Sequence, residues 1–180
     1  MTIEADQLEK LLTSPRLPFY AQQIQEVLKS EEQRRRDFYN QISEGDKAEF
    51  INGEIIIHSP VKFCHNNASL NLLVLLRTYV LRHELGFVGH EKIMISLSRN
   101  DYEPDVCYFN KTKTSQFTPD QMRFPAPDFV VEVLSESTAA NDRGVKFEDY
   151  AAHGILEYWI VDPEAETIEQ YQLRDDAYEL

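Results

Sequence analysis

The stretch Phe129 to Leu134, FVVEVL, is apolar at every position but one. A strand of this composition is usually covered on both faces by other elements. Glutamate is among the residues least often buried without a partner. Glu132 therefore has to meet a cation, hydrogen-bond donors or a metal ion, because an unpaired buried charge is too costly. A helix-length segment carrying Lys146 follows, and then a second apolar run, Tyr158–Val161. Strand, helix, strand in that order puts the two strands in one sheet and makes Lys146 a possible neighbour of Glu132.

The rest of the chain supplies the context. Residues 3–12 and 20–42 have helical periodicity, broken at Leu17-Pro18. Arg34-Arg35-Arg36 lies in the second helix and reads as a solvated face or a phosphate contact. Asn52-Gly53 between two β-branched runs predicts a hairpin pairing Glu49–Ile51 with Glu54–His58. A helix is expected over about residues 66–83. Its run Leu70–Leu76 is apolar nearly all round, so that helix is either buried on several sides or part of a homodimer interface. Ile93–Leu97 and Val106–Phe109 read as strands, with a turn between them at residues 99–104, and residues 112–124 as a polar surface loop. A helix over residues 142–152, stopped by Gly154, and strands at Tyr158–Val161 and Thr167–Leu173 close the chain. The prediction is an α/β (α+β) domain with a mixed sheet over residues 45–180, preceded by an N-terminal helical extension, residues 1–44.

Charge bears on function. The chain has 31 acidic and 18 basic residues, net −13. Residues 1–44 account for −2 of this, so −11 sits in residues 45–180. Such a field disfavours loose contact with nucleic acid and suits divalent cations. Two cysteines, Cys64 and Cys107, make neither a disulfide framework nor a thiolate metal motif. With no secretory segment at the N-terminus and no apolar run near 20 residues, a cytoplasmic protein of bacterial type, without membrane attachment, is expected.

Two Pro-Asp dipeptides compete to accompany Glu132. Asp128 lies on the same strand face, but four residues place it roughly 13 Å away. Asp105 opens the preceding strand, and neighbouring strands lie only about 4.8 Å apart. Asp105 and Glu132 could therefore share a hard cation, Mg²⁺ or Mn²⁺. Lys146 has two readings: a surface i,i+4 partner of Asp142, or an ammonium delivered to the carboxylates. Glu54 is an exposed strand acid or a ligand, and His65 a first-turn helix residue or a catalytic or metal-binding group. No phosphate-cradling glycine loop, HExxH pair or nucleophile elbow is present.

GEI at 53–55, His65, PDV at 104–106, PDFVVEVLSEST at 127–138 and DRGVKFEDYAAHGILEYWIVDP at 142–163 occur in that order. Together they resemble the Uma family of restriction-endonuclease-like proteins, in the PD-(D/E)XK superfamily, over roughly residues 45–175. The resemblance implies a central mixed sheet flanked by helices and a metal-dependent endonuclease site. By position, Asp105 and Glu132 would be the metal ligands, Glu54 the upstream acid and Lys146 the lysine. In most of the superfamily the lysine stands two residues after the glutamate. Here that position is Leu134, and Lys146 on the following helix takes its place, as in the Uma family. The expected function is Mg²⁺-dependent hydrolysis of phosphodiester bonds in a nucleic acid, DNA before RNA. Two alternatives are a catalytically silent binding or regulatory module and a hydrolase of another phosphoester.

Overall fold

The computed structural model describes residues 5–43 and 45–180. The first two residues of the helix expected over 3–12, and Glu44 at the expected domain boundary, lie outside them. The chain opens with two helices, α1 (Ala5–Leu12) and α2 (Leu17–Gln41). The hairpin β1 (Ala48–Ile51) and β2 (Glu54–Ile57) follows, paired antiparallel with Phe50 opposite Ile55. Its turn residues Asn52 and Gly53 have φ of 50° and 84°, the left-handed pair that a two-residue hairpin demands.

After the hairpin come α3 (Phe63–Arg82), β3 (Gly86–His90), β4 (Met94–Ser96), β5 (Asp101–Tyr102) and β6 (Val106–Asn110). A short α4 (Lys111–Thr114) and β7 (Arg123–Phe124) precede β8 (Phe129–Val133). Helices α5 (Ala139–Asp142) and α6 (Val145–Ala152) then lead to β9 (Glu157–Asp162), β10 (Thr167–Arg174) and β11 (Ala177–Glu179).

The strands form two sheets. A six-stranded mixed sheet runs β11-β10-β9-β8-β6-β3, in which β8 and β9 are parallel and the other pairs antiparallel. A five-stranded sheet runs β2-β1-β5-β4-β7. The sequence predicts one mixed sheet. The second arises because the residues expected as a turn, 99–104, include β5, which pairs with both β1 and β4.

Three apolar layers hold these elements together. One lies between the sheets and takes in α6: Ile95 and Tyr102 meet Phe109, Val130, Tyr150 and Tyr158. A second lies under α3, where Val80 packs on Val88, Val106, Val131, Val133 and Val161. In the third, Phe38 of α2 covers Ala48, Phe50 and Met94 on the outer side of the five-stranded sheet. The C-terminal half of α2 is also held by charge. Arg35 of the triple-arginine run donates from Nε and Nη2 to Asp101 at 2.6 and 2.7 Å, and to the carbonyls of Leu97, Ser98 and Asn100.

Three expectations change. Of the two readings of α3, burial on several sides falls away: the helix is buried on one side only, and Leu70, Val74, Leu75 and Tyr79 remain exposed in the single chain. The segment 112–124 is not simply a surface loop, since Phe117 and Phe124 pack edge-on to each other and against Phe109. The helix expected over 142–152 is broken between α5 and α6 at Gly144. A Cβ there would stand 2.7 Å from the carbonyl oxygen of Ala140, so the break needs glycine.

Candidate active site

Alternation along β8 sends Phe129, Val131 and Val133 toward α3, and Val130 and Glu132 toward α6 and the other sheet. Strand β6 pairs with β8 with Val106 opposite Val131, so one step further Asp105 stands opposite Glu132. Backbone groups lock the two together. The Val133 amide donates to Asp105 Oδ2 at 2.8 Å, and the Asp105 amide approaches Glu132 Oε2 at 3.4 Å.

Helix α6 delivers the cation. Lys146 and Tyr150 are one turn apart and face the same way. Lys146 Nζ is 3.0 Å from Glu132 Oε1, 3.0 Å from Glu49 Oε1 and 3.1 Å from Asp142 Oδ1. The Tyr150 hydroxyl donates to Glu132 Oε1 at 2.9 Å. The Lys146 side chain is 2 % exposed, so this is no surface pair. The break at Gly144 leaves Asp142 at the end of α5, one turn before Lys146 and pointing at its ammonium.

Asp105 has its own company. Lys47 Nζ lies 3.3 Å from Oδ1, and His65 Nε2, from the first turn of α3, lies 3.3 Å from Oδ2. The other ring nitrogen of His65, Nδ1, is buried and has no hydrogen-bond partner among the described residues. Burial raises the Asp105 carboxyl, yet His65, Lys47 and the Val133 amide outweigh it and hold the group well below the usual carboxylate range. Glu132 goes the other way. Burial pushes it up to about 8 against the pull of Lys146, with Asp142, Asp105 and Glu49 adding to the rise.

The structure thus brings Asp105, Glu132 and Lys146 together and leaves Glu54 out. Glu54 is exposed on β2, opposite Ile51, and takes part in no ion pair among the described residues. The acid that reaches the cluster from the hairpin is Glu49 on β1, 1 % exposed, with His58 Nε2 3.3 Å from its Oε2. A legible sign marks it: like Glu132, Glu49 sits between apolar neighbours in a strand. Glu103 also lies here, with its carboxylate accepting from the Ala48 amide and raised to about 7 chiefly by burial. Asp128 stays apart, bound to Asn110 and Lys113.

Lys47, His65, Glu103, Asp105, Glu132 and Lys146 line a cavity of about 460 Å³. Five carboxylates, Glu49, Glu103, Asp105, Glu132 and Asp142, here face two lysines. Such a gathering of hard oxygen donors is the kind that a divalent cation takes. No group of three His, Cys, Asp or Glu side chains among the described residues is arranged as a cage for a metal. Hard oxygen donors such as those of Asp105 and Glu132 are of the type that an ion such as Mg²⁺ takes, with its remaining oxygens from elsewhere.

Comparison with known proteins follows the same outline. The model of the family Uma2, described as "Putative restriction endonuclease", matches residues 35–180. Two uncharacterized proteins of Synechocystis sp. are relatives. One is 34 % identical over 131 residues, covering 71 % of this chain and 72 % of the relative. The other is 31 % identical over 169 residues, covering 91 % and 80 %. A crystal structure from Anabaena variabilis, described as a putative nuclease belonging to DUF820, superposes with a TM-score of 0.68 at 18 % identity, over 79 % of this chain and 80 % of that one. At that identity the likeness concerns the fold, and the fold it supports is the nuclease-like α+β arrangement described above. By the match over residues 35–180, the chain belongs to the Uma2 family of restriction-endonuclease-like proteins.

Proposed function

We propose that this protein is a Mg²⁺- or Mn²⁺-dependent endonuclease that hydrolyses phosphodiester bonds in DNA. One observation carries the reading: Asp105 and Glu132 stand opposite each other on neighbouring strands, at the wall of a cavity, with the Lys146 ammonium 3.0 Å from Glu132. Asp105 and Glu132 would hold the cation. When bound, such an ion polarises a phosphate and lowers the pKa of coordinated water. Asp105 is kept ionised by Lys47 and His65 and so remains an anionic ligand at neutral pH. Lys146 and Tyr150 fix the orientation of the Glu132 carboxylate. His65 meets Asp105 through Nε2, and its other ring nitrogen, Nδ1, is buried without a hydrogen-bond partner among the described residues. The acidic body argues for a cation as obligatory go-between, since it repels a polyanion in the absence of counter-ions.

One observation favours a second reading, a catalytically silent module that keeps the fold. Lys146 is buried and shared among three carboxylates, as a structural cluster would have it. A nicking assay on supercoiled plasmid, with Mg²⁺ or Mn²⁺ supplied, separates the two. The endonuclease reading expects nicking by the wild type and a loss of more than about a hundredfold in Asp105→Ala, since a metal contributes several kcal/mol to the barrier. Wild-type protein without activity on DNA, or activity indifferent to Asp105→Ala, would overturn it.

A further inference from the structure

Five side chains able to carry positive charge line the cavity: Lys47, His58, Lys62, His65 and Lys146. They differ in how much of that charge is left for a ligand. Lys146 is buried, with oxygens of Glu49, Glu132 and Asp142 within 3.1 Å of its Nζ. An anionic substrate would have to pass three carboxylates to meet it, which like charge opposes. His58 and His65 each turn Nε2 to a carboxylate, Glu49 and Asp105 respectively. Lys62 stands at the rim, 60 % exposed, and bridges Glu136 and Glu164 at 3.0 and 2.7 Å.

Lys47 is placed differently. Its carbonyl accepts from the His58 amide at 3.0 Å, closing the hairpin one residue before β1 begins at Ala48. Alternation puts Lys47 and Glu49 on the same side. From there Glu49 reaches the Lys146 ammonium and Lys47 reaches Asp105. The one hydrogen bond that Lys47 Nζ makes among the described residues goes to Asp105 Oδ1, and at 3.3 Å it is long. An ammonium has three N–H donors, so two remain for a ligand. The side chain is 18 % exposed, sheltered enough for its charge to act strongly and open enough to be met from the cavity.

We propose that Lys47 is the residue that contacts the substrate's phosphate, and that Lys146, the lysine to which the sequence pattern points, only positions Glu132. The assignment rests on the endonuclease reading for its substrate, and its ligand is a phosphate oxyanion. Asp105 is the proposed cation ligand and already holds Lys47, so cation, ammonium and phosphate come together at one carboxylate. The ammonium acts in opposite senses on the two ligands. It opposes a dication at Asp105 by like charge, and it favours an anion through charge-assisted hydrogen bonds. A lysine that merely held Asp105 in place would support both, and its loss would weaken both.

Calorimetric titrations of the full-length protein test this, one with Mg²⁺ and one with inorganic phosphate, the latter with and without Mg²⁺. Wild type is expected to bind both. Lys47→Met, similar in length, should bind phosphate at least about tenfold more weakly and Mg²⁺ about threefold or more tightly. Lys47→Arg should restore most of the phosphate affinity, and Lys62→Met should leave it within about twofold. Circular dichroism shows whether each variant is folded. Three results would overturn the assignment: no phosphate binding by wild type under either condition, unchanged phosphate affinity in folded Lys47→Met, or weaker binding of both ligands by that variant. A loss in Lys62→Met as large as that in Lys47→Met would move the contact to the rim and overturn it too. Plasmid nicking keeps this assignment apart from the endonuclease reading. Wild type that binds phosphate through Lys47 but leaves plasmid intact in Mg²⁺ would sink the endonuclease reading and leave the Lys47 contact standing. Nicking by wild type, with normal phosphate affinity in Lys47→Met, would do the reverse. If wild type takes up no Mg²⁺, the cation site falls, and the metal-free phosphate titration still decides Lys47.

Discussion

Strand β8 has two faces, and they are stabilised by opposite means. On one, Val131 and Val133 meet four further valines under α3, an apolar layer in which each buried side chain contributes about 1.5–3 kcal/mol. On the other, between those two valines in sequence, Glu132 is locked into a cluster of carboxylates around a buried ammonium. The first face is what a fold requires. The second is a poor way to stabilise one, because desolvating charges offsets much of their attraction, and apolar residues of similar volume do as well or better. A strand that is valine on one face, and on the other sets the single charge of Glu132 beside the buried Val130, has a charge that stability alone does not account for.

That contrast can be broken deliberately. The largest effect is expected from Lys146→Ala, which leaves Glu49, Glu132 and Asp142 around an empty centre. It should cost about 3–5 kcal/mol of unfolding free energy in denaturant titration. Replacing the whole cluster with apolar residues, Lys146→Met with Glu49→Leu, Glu132→Leu and Asp142→Leu, should cost less than that single change. If the fourfold variant is the less stable, the cluster is structural after all. On the opposite face, Val131→Ala should lower stability by about 2 kcal/mol through lost burial and a small cavity. Its affinity for Mg²⁺, measured by calorimetry, should stay at the wild-type value.

The smallest effect belongs to a surface pair that touches neither face. Arg143 donates to Glu169 at 2.9 Å, and its hydrogen bond, helped by one from Tyr171, holds the carboxyl down at about 2. A carboxyl depressed on folding stabilises the protein at pH above its ordinary value of about 4.5, and that contribution disappears as the pH falls through about 2. Melting temperatures of wild type and Glu169→Gln should therefore differ slightly near neutrality and converge in acid. Exposure keeps the difference below about 1 kcal/mol.

How far the sequence foretold this arrangement depended on the range of the signal. Glu132 was legible because one acid in an apolar strand needs a partner, and Asp105 because neighbouring strands bring their residues within reach. The hairpin at Asn52-Gly53 was legible from its turn chemistry. Glu49 was missed in favour of Glu54, although it carries the same mark as Glu132. Its contact with Lys146 ties the five-stranded sheet to α6, and β5, which places β1 in its sheet, is only two residues long. Strand β3 was hidden by its glycines, one of which, Gly89, makes room for Ile93 and Cys107. The break before α6 rests on the close approach of Gly144 to Ala140, which periodicity does not report. Local chemistry was readable, whereas contacts set by packing between layers were not.

The central claim is that Asp105 and Glu132 form a cation site. Calorimetric titration of Mg²⁺ into the wild type and into Asp105→Ala/Glu132→Ala tests it most directly, with circular dichroism to show that both are folded. The account predicts saturable binding by the wild type and none by the folded double variant. An absence of binding in the wild type, or the same affinity in both proteins, would contradict it.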